Sequence, residues 1–308
     1  MDTRVLRTFA TLARTGSFTA AAAELHLAQS TVTVQIRALE RDLRVRLFDR
    51  LPSGTVLTET GARLLEQARH VLDAEDRLRH EAHGTAPVEG SVTIGASESL
   101  CAYRLPLAVA GLNRSLPGVD IHMRAVTTPA EAADQLAAGR TDFALLLEPR
   151  VEVPHLESEA IGSEPLVLVA APGHPLAHAE APLRQLAGHT VFLLEEGCSY
   201  SDAFARELAA LPGGSPRVTR FGSIEAARAC VEAGLGLALL PVVSVRADLT
   251  SGRLCAAQDF PAVPVQMMWH RSRWITPATR TVMARLRQLA ADGWPDGPSA
   301  TGAQDRTA

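Results

Sequence analysis

The sequence predicts an α/β protein in three parts: a small helical N-terminal domain, one long helix, and a large body in which strands and helices alternate. Three observations carry this. Residues 4–43 hold three segments with apolar residues three and four apart; residues 59–83 hold the longest unbroken helical pattern; and from residue 91 onward short apolar runs alternate with helical segments. A chain of 308 residues allows two or three domains, at roughly 150 residues each.

The first helix is expected over residues 4–15, with Val5, Leu6, Phe9, Leu12 and Ala13 on one face and Gly16 as its stop. Ser17 or Thr19 can cap a second helix, Ala20–Leu25. A third is predicted from Gln29 to Leu43, with Val32, Ile36, Leu39 and Leu43 as its apolar stripe. At 100° per residue, Ser30, Val34, Arg37 and Arg41 then face away from that stripe, with Thr31 and Thr33 on its flanks. Phe48–Leu51 and Thr55–Leu57 read as two short strands around the turn Pro52-Ser53-Gly54. On the long helix, Leu64, Leu65, Ala68, Val71, Leu72 and Leu78 form a narrow stripe suited to pairing with a second helix, against the alternative of packing on its own domain.

In the body, strands are expected at Ser91–Gly95, Val119–Val126, Asp142–Leu147, Leu166–Ala170, Thr190–Leu194, Val218–Phe221, Leu237–Leu240 and Val263–His270. Helices are expected at Leu100–Asn113, Ala130–Ala138, Leu183–Ala187, Ser201–Leu211, Ile224–Ala233 and Pro277–Ala291. Alternation of this kind implies parallel sheets covered on both faces. The tail Asp292–Ala308, rich in Gly, Pro, Ser, Asp and Thr, is expected to be disordered.

Charge is uneven. Residues 1–58 carry eight Arg against five acids, and residues 59–308 carry 22 Arg against 29 acids, so a basic end joins an acidic body. That fits a local anionic partner such as a phosphate backbone. The chain has no Lys, so Arg alone is not read as a choice for phosphate. No apolar run reaches the roughly 20 residues that span a bilayer, and the periodic, Arg-interrupted N-terminus does not read as a signal peptide; a cytoplasmic location is expected. Cys101, Cys198, Cys230 and Cys255 form no C-x-x-C pair, which points to reduced thiols rather than a metal or dithiol centre. There is no G-x-S-x-G or H-E-x-x-H, the His are scattered, and His80 and His83 fall on the long helix. No catalytic residue, metal site or cofactor is expected.

GSFTAAAAELHLAQSTVTVQIRALERDLRVRLFDR (Gly16–Arg50) and the following LTETG (Leu57–Gly61) resemble the DNA-binding domain and linker entry of LysR-type transcriptional regulators. IGASESLCAYRLP (Ile94–Pro106), LVLVAAPGHPLA (Leu166–Ala177) and GSIEAARACVEAGLGLALLP (Gly222–Pro241) are similar to that family's effector domain, in family order across residues 3–291. The resemblance implies a winged helix-turn-helix at 1–58 and a linker helix and hinge at 59–87. It further implies a two-lobed, periplasmic-binding-protein-like effector domain at 88–292, with one lobe of about 88–161 plus 266–292 and the other of about 162–265, before the tail 293–308. Two departures stand out: Arg44 where the family usually has Gly after the recognition helix, and Arg46 where it often has Pro. A non-glycine residue in a left-handed position costs about 1 kcal/mol, offset in part by a cation near a helix C-terminus.

The function implied is sequence-specific regulation of transcription by a homodimer or homotetramer on double-stranded promoter DNA, with RNA polymerase a candidate further partner. Gln29, Ser30, Thr31, Thr33, Val34, Arg37 and Arg50 are the candidate DNA contacts. The amide of Gln29 suits adenine, the hydroxyls donate or accept, Val34 can meet a thymine methyl, and the Arg residues suit phosphate or a minor groove. Ser97, Ser99, Thr128, Cys198 and Ser223 are the candidate effector contacts, because they follow strand ends and open helices. Hydroxyls and free N–H groups there suit a small molecule, a carboxylate among the candidates. For Ser99, Thr128 and Ser223 the alternative is helix capping. Glu98 is expected to face solvent or to meet a cationic part of the ligand. Two rival readings stay open: redox sensing by Cys101 or Cys198 through thiols of lowered pKa, and a solute-binding protein, which leaves residues 1–58 without a use.

Overall fold

Asp2 accepts the Arg4 N–H and starts α1 (Thr3–Thr15), which stops at Gly16 in the left-handed region. The Ser17 hydroxyl accepts the Ala20 N–H at 3.4 Å and caps α2 (Phe18–Glu24). Then follow α3 (Gln29–Leu43), the antiparallel hairpin β1 (Phe48–Leu51) and β2 (Gly54–Leu57), and α4 (Glu59–His83). The computed structural model describes residues 2–51, 54–83, 88–177, 183–211 and 214–294, with the side chains at 50–51 and 79–83 outside that description. The hairpin tip Pro52-Ser53 and the tail beyond Trp294 therefore lie outside the described residues. By contact the chain divides into two units: Met1–Pro87 with Ala137–Arg140 and Ser272–Thr276, and the remainder.

The first unit closes over a core of Leu6, Phe9 and Leu12 from α1, Val32, Ile36 and Leu39 from α3, and Leu47 and Phe48, with Phe9 and Phe48 edge to face at 5.5 Å. These are the apolar faces the periodicity marks. Arg44 adopts φ 56°, the left-handed position where glycine would be unstrained, and its N–H closes on the Glu40 carbonyl. The long helix uses its apolar residues differently from expectation. Leu65, Ala68 and Leu72 are buried in the core of their own unit, whereas Val71 and Leu78 are 41% and 70% exposed. One predicted pairing stripe is two faces, because residues three and four apart straddle the boundary between the α1 contact and solvent.

The second unit begins with β3 (Gly90–Ala96). A π-helical turn, Leu100–Arg104, leads into α5 (Leu105–Ser115), then β4 (Val119–Ala125), α6 (Pro129–Ala137) and β5 (Phe143–Leu147). One continuous helix was expected from Leu100. Pro106 in the first turn of α5 breaks it, since proline lacks an N–H and crowds the preceding turn; the Leu105 N–H reaches back to the Leu100 carbonyl instead. The chain continues with β6 (Leu156–Ala170), a 3₁₀ turn Leu183–Leu186 in place of an expected α-helix, β7 (Thr190–Leu194), α7 (Ser199–Ala209), β8 (Arg217–Phe221), α8 (Ile224–Glu232), β9 (Leu237–Pro241), α9 (Val242–Ser251), β10 (Cys255–His270) and α10 (Pro277–Ala291). No element was expected at α9, where Val242, Val243 and Val245 are weak helix formers. Its signals are Pro241 at the N-cap and Gly252 in the left-handed region at the C-cap.

The strands form one mixed sheet ordered β4-β3-β5-β10-β6-β9-β7-β8, not separate parallel sheets. Pairing is parallel between β3 and its neighbours β4 and β5, and between β7 and its neighbours β8 and β9. The long strands β6 and β10 run antiparallel to each other and cross the middle, with β10 on β5 and β6 on β9. Both are longer than expected from their apolar runs, β6 with 15 residues where Leu166–Ala170 was expected and β10 with 16 where Val263–His270 was expected. Their polar halves, such as Glu157–Glu164, are strand because the partner strand supplies their backbone hydrogen bonds. At the crossing, Glu164 is fully buried and takes two hydrogen bonds from Arg104, at 2.9 and 3.2 Å, and one from the Val243 N–H at 3.3 Å. Among the described residues, no helix is long and apolar enough to cross a membrane.

The LTETG segment has a packing reason. Thr58 donates its hydroxyl to the Arg46 carbonyl and accepts the Gly61 N–H, capping α4. A Cβ on Gly61 would stand 2.1 Å from the Leu47 carbonyl oxygen. In an unconstrained helix Gly→Ala stabilises by about 0.5–1 kcal/mol. Here we predict the opposite sign for Gly61→Ala, a loss of about 1–3 kcal/mol from overpacking, read by urea unfolding. An increase in stability would refute the close approach.

Candidate functional site

In the first unit, α3 packs Val32, Ile36 and Leu39 inward and leaves one face clear. On that face Gln29, Ser30 and Arg37 are exposed, and Val34 is 65% exposed. Thr31 and Thr33 are half-buried on the flanks, as expected. Thr33 donates its hydroxyl to the Gln29 carbonyl at 3.0 Å, so its oxygen is left mainly to accept. The hairpin is tied to the turn before α2 by the Thr55 N–H on the Gly16 carbonyl at 3.0 Å. Arg50 lies on β1, and its side chain is outside the described residues. Arg44 and Arg46 are exposed beside the end of α3.

In the second unit, a cavity of about 230 Å³ lies where five parallel strands end. Its wall takes Ser97 after β3, Thr127 after β4, Glu148 after β5, Glu195 after β7 and Gly222 after β8. The carboxyl ends of parallel strands are where ligands of such sheets bind, since helix N-termini and loops converge there. Val126, Leu146, Leu147 and Leu194 form its apolar floor.

Of the five residues expected there, Ser97, Ser99 and Cys198 line the cavity, and the two serine hydroxyls are 3.3 Å apart. Thr128 does not. Its hydroxyl accepts the Glu131 N–H at 3.1 Å and caps α6, and its methyl group packs against Gly197, where a Cβ would approach to 2.5 Å. Thr127, one residue earlier, takes the place in the wall. Ser223 is also outside the lining. It holds the N-cap position of α8 without making the cap bond, which comes from Glu98 instead: the Glu98 Oε2 accepts the Ile224 N–H at 3.1 Å. Glu98, expected to face solvent, thus closes across the cavity onto a helix 126 residues away in sequence. Ser199 makes a second crossing bond, from its hydroxyl to the Leu147 carbonyl at 3.0 Å.

Sequence reading missed Glu148 and Glu195. Each stands directly after a run of buried leucines, LLLE and FLLE, one residue past a strand end. An acid in that position was the available signal. Glu148 is 6% exposed, and burial pushes its carboxyl up to about 7, with the neighbouring Asp202 adding to the rise and the Ser199 hydroxyl opposing it. One oxygen of Glu195 is buried without a hydrogen-bond partner. The thiols run against the expected lowering. Burial and the Glu98 carboxylate raise Cys101 to about 11, and burial raises Cys198 despite hydrogen bonds from Ser201 and Tyr200. Both shifts run opposite to the lowered thiol pKa on which the redox reading rested. Among the described residues, no group of three or more His, Cys, Asp or Glu could hold a metal ion.

A winged helix-turn-helix, a long helix and a two-lobed α/β domain with a polar cleft define the class of ligand-responsive DNA-binding regulators. Residues 3–62 match the family described as "Bacterial regulatory helix-turn-helix protein, lysR family", and residues 85–291 match "LysR substrate binding domain". The chain is 33% identical over 291 residues to the uncharacterized HTH-type transcriptional regulator YwqM of Bacillus subtilis, covering 94% of this chain and 99% of that one. It is 34% identical over 299 residues to the HTH-type transcriptional regulator CfxR of Cupriavidus necator, covering 94% and 92%. Among solved structures, a full-length OxyR variant from Pseudomonas aeruginosa matches with TM-score 0.76 and 26% identity, covering 94% of each chain. The chain belongs to the LysR family of transcriptional regulators, with a helix-turn-helix DNA-binding domain and an effector-binding domain.

Because Glu148 binds a proton more readily folded than unfolded, the sign of its pH effect is fixed. Below an ordinary carboxyl value of 4.5 both states are protonated. As pH rises through about 7 the unfolded chain ionises freely and the folded one resists, so stability falls. Glu148→Gln should therefore gain stability relative to wild type as pH rises, by on the order of 1–3 kcal/mol at about pH 8 and almost nothing at about pH 4.5. Thermal melts across that range check it; a gain that is flat with pH would refute the burial argument.

Proposed function

We propose that this regulator reads promoter DNA through the outward face of α3 and is controlled by a small molecule held in the cavity at the strand ends. The carrying observation is that cavity, which gathers Ser97, Ser99, Thr127, Glu148 and Glu195 from two lobes at the ends of parallel strands. A ligand that touches both lobes favours one arrangement of them over another, and its differential affinity is the whole of the signal. The protein acts by binding, not by catalysis, in the cytoplasm where promoters are. RNA polymerase is its further partner at activated promoters.

Gln29, Ser30, Thr31, Thr33 and Val34 serve base readout in this proposal, while Arg37 and Arg50 serve the backbone. Gln29→Ala should weaken a specific site by about 1–3 kcal/mol and relax preference at one base pair. Arg37→Ala should weaken all DNA alike and make the salt slope shallower by about one. Gel shifts over a salt series separate these, and a changed base preference with an intact slope would overturn the role given to Arg37.

Assembly is proposed through the free face of α4. Val71 and Leu78 stand seven residues apart and are exposed, while Leu64, seven residues before Val71, is half-buried against the core of its own unit. That repeat fits a coiled pairing of two linker helices, which holds two reading heads at high mutual concentration. Val71→Asp with Leu78→Asp should give monomers with poor operator affinity and an unchanged fold. Leu72 is unsuitable for this test, being part of the core of its own unit. Sedimentation showing the oligomer intact would place the interface elsewhere.

A further inference from the structure

The cavity at the strand ends is lined by the carboxylates of Glu98, Glu148 and Glu195 and by no Arg or His; the chain has no Lys. Their present partners differ. Glu98 is occupied by the Ile224 N–H at the start of α8. Asp202, just behind the wall, is paired with Arg220 at 2.8 Å and accepts the Gly197 N–H at 2.9 Å. Glu148 is more than nine-tenths buried and, among the described residues, has the Ser199 hydroxyl beside it and no cation. Glu195 turns one oxygen into buried space with no donor at all. Buried carboxylates are ordinarily paired, and an uncompensated one signals an absent counterpart.

A carboxylate ligand fits this wall poorly. The Ile224 N–H it would seek at α8 is already answered by Glu98, and it would enter among like charges with no cation in the wall to receive it. A neutral ligand would leave Glu195, and Glu148 once ionised, without counter-charge.

Resting on the reading of this cavity as the effector site, we propose that the effector is a small cation, an aliphatic amine or guanidine. Its charged group sits between Glu148 and Glu195, and its short carbon chain lies on Leu147 and Leu194. The serine hydroxyls of Ser97 and Ser99 take the polar group, neutral or ammonium, that the molecule carries at its other end. The preference for a cation is local: it needs no charge elsewhere on the chain, and it replaces the carboxylate expected from hydroxyls and helix ends alone.

The test is a thermal-shift titration of the full chain with putrescine, succinate and butanediol, which share one carbon chain and differ in charge. Putrescine at millimolar concentration should raise the melting temperature, and Glu148→Gln and Glu195→Gln should each weaken its binding roughly tenfold or more. If Glu148→Gln fails to fold, Glu195→Gln at its half-buried position carries the comparison. No shift with putrescine, or a larger one with succinate or butanediol, overturns the cationic class. In the latter case, loss of that shift in Ser97→Ala with Ser99→Ala keeps the cavity as the effector site. A putrescine shift that survives both Gln variants places binding outside the cavity and overturns the site along with the class.

Discussion

Glu164 has no exposed surface, and its carboxylate is held by the guanidinium of Arg104 and by the Val243 N–H in the first turn of α9. Arg104 closes the π turn that follows β3, and Glu164 sits on β6 where that strand crosses between lobes. One ion pair thus fixes three things: the exit of a helix, the crossing of a strand and the entry of another helix. Two buried charges in a two-pronged geometry need each other, since removing either leaves the other stranded at a cost of about 3–5 kcal/mol. The alignment of the lobes, and with it the shape of the cavity between their strand ends, depends on this contact.

The fold was legible because its elements are locally consistent. The stripes of α1 and α3, Ser17 as a cap and Gly16 as a stop each agree with the structure, and Arg44 takes the left-handed position its place in the sequence implies. What sequence could not supply was the identity of the partner across space. The apolar spacing on α4 is the same whether Leu72 meets α1 or a second molecule, and only the assembled core separates Leu72 from Val71. Likewise the polar halves of β6 and β10 become strand because they find each other, not through propensity.

The candidate site shows the same division. Residues that follow strand ends were identifiable from topology, and Ser97, Ser99 and Cys198 fall in the wall accordingly. Elsewhere a local bond competes for the side chain. Thr128 spends its hydroxyl on α6, and Thr127 lines the cavity in its place. The bond from Glu98 to α8 joins residues too far apart for any periodicity to mark. Glu148 and Glu195 were missed although a signal was there, since a charge directly behind a buried strand has few reasons to be there other than a ligand or a partner.

The interleaving of β6 and β10 also bears on how the chain assembles as it leaves the ribosome. The strand that flanks β5 on its inner side is β10, more than a hundred residues later. Until residues 255–270 emerge, β5 keeps an unpaired edge beside fully buried side chains, Phe143 through Leu147. The later lobe is nearly contiguous and can close first, so the earlier lobe waits on the later one. Non-local pairing of this kind slows folding and prolongs exposure of a sticky edge. The open edge of β5 therefore persists through the synthesis of the later lobe and closes only when β10 arrives.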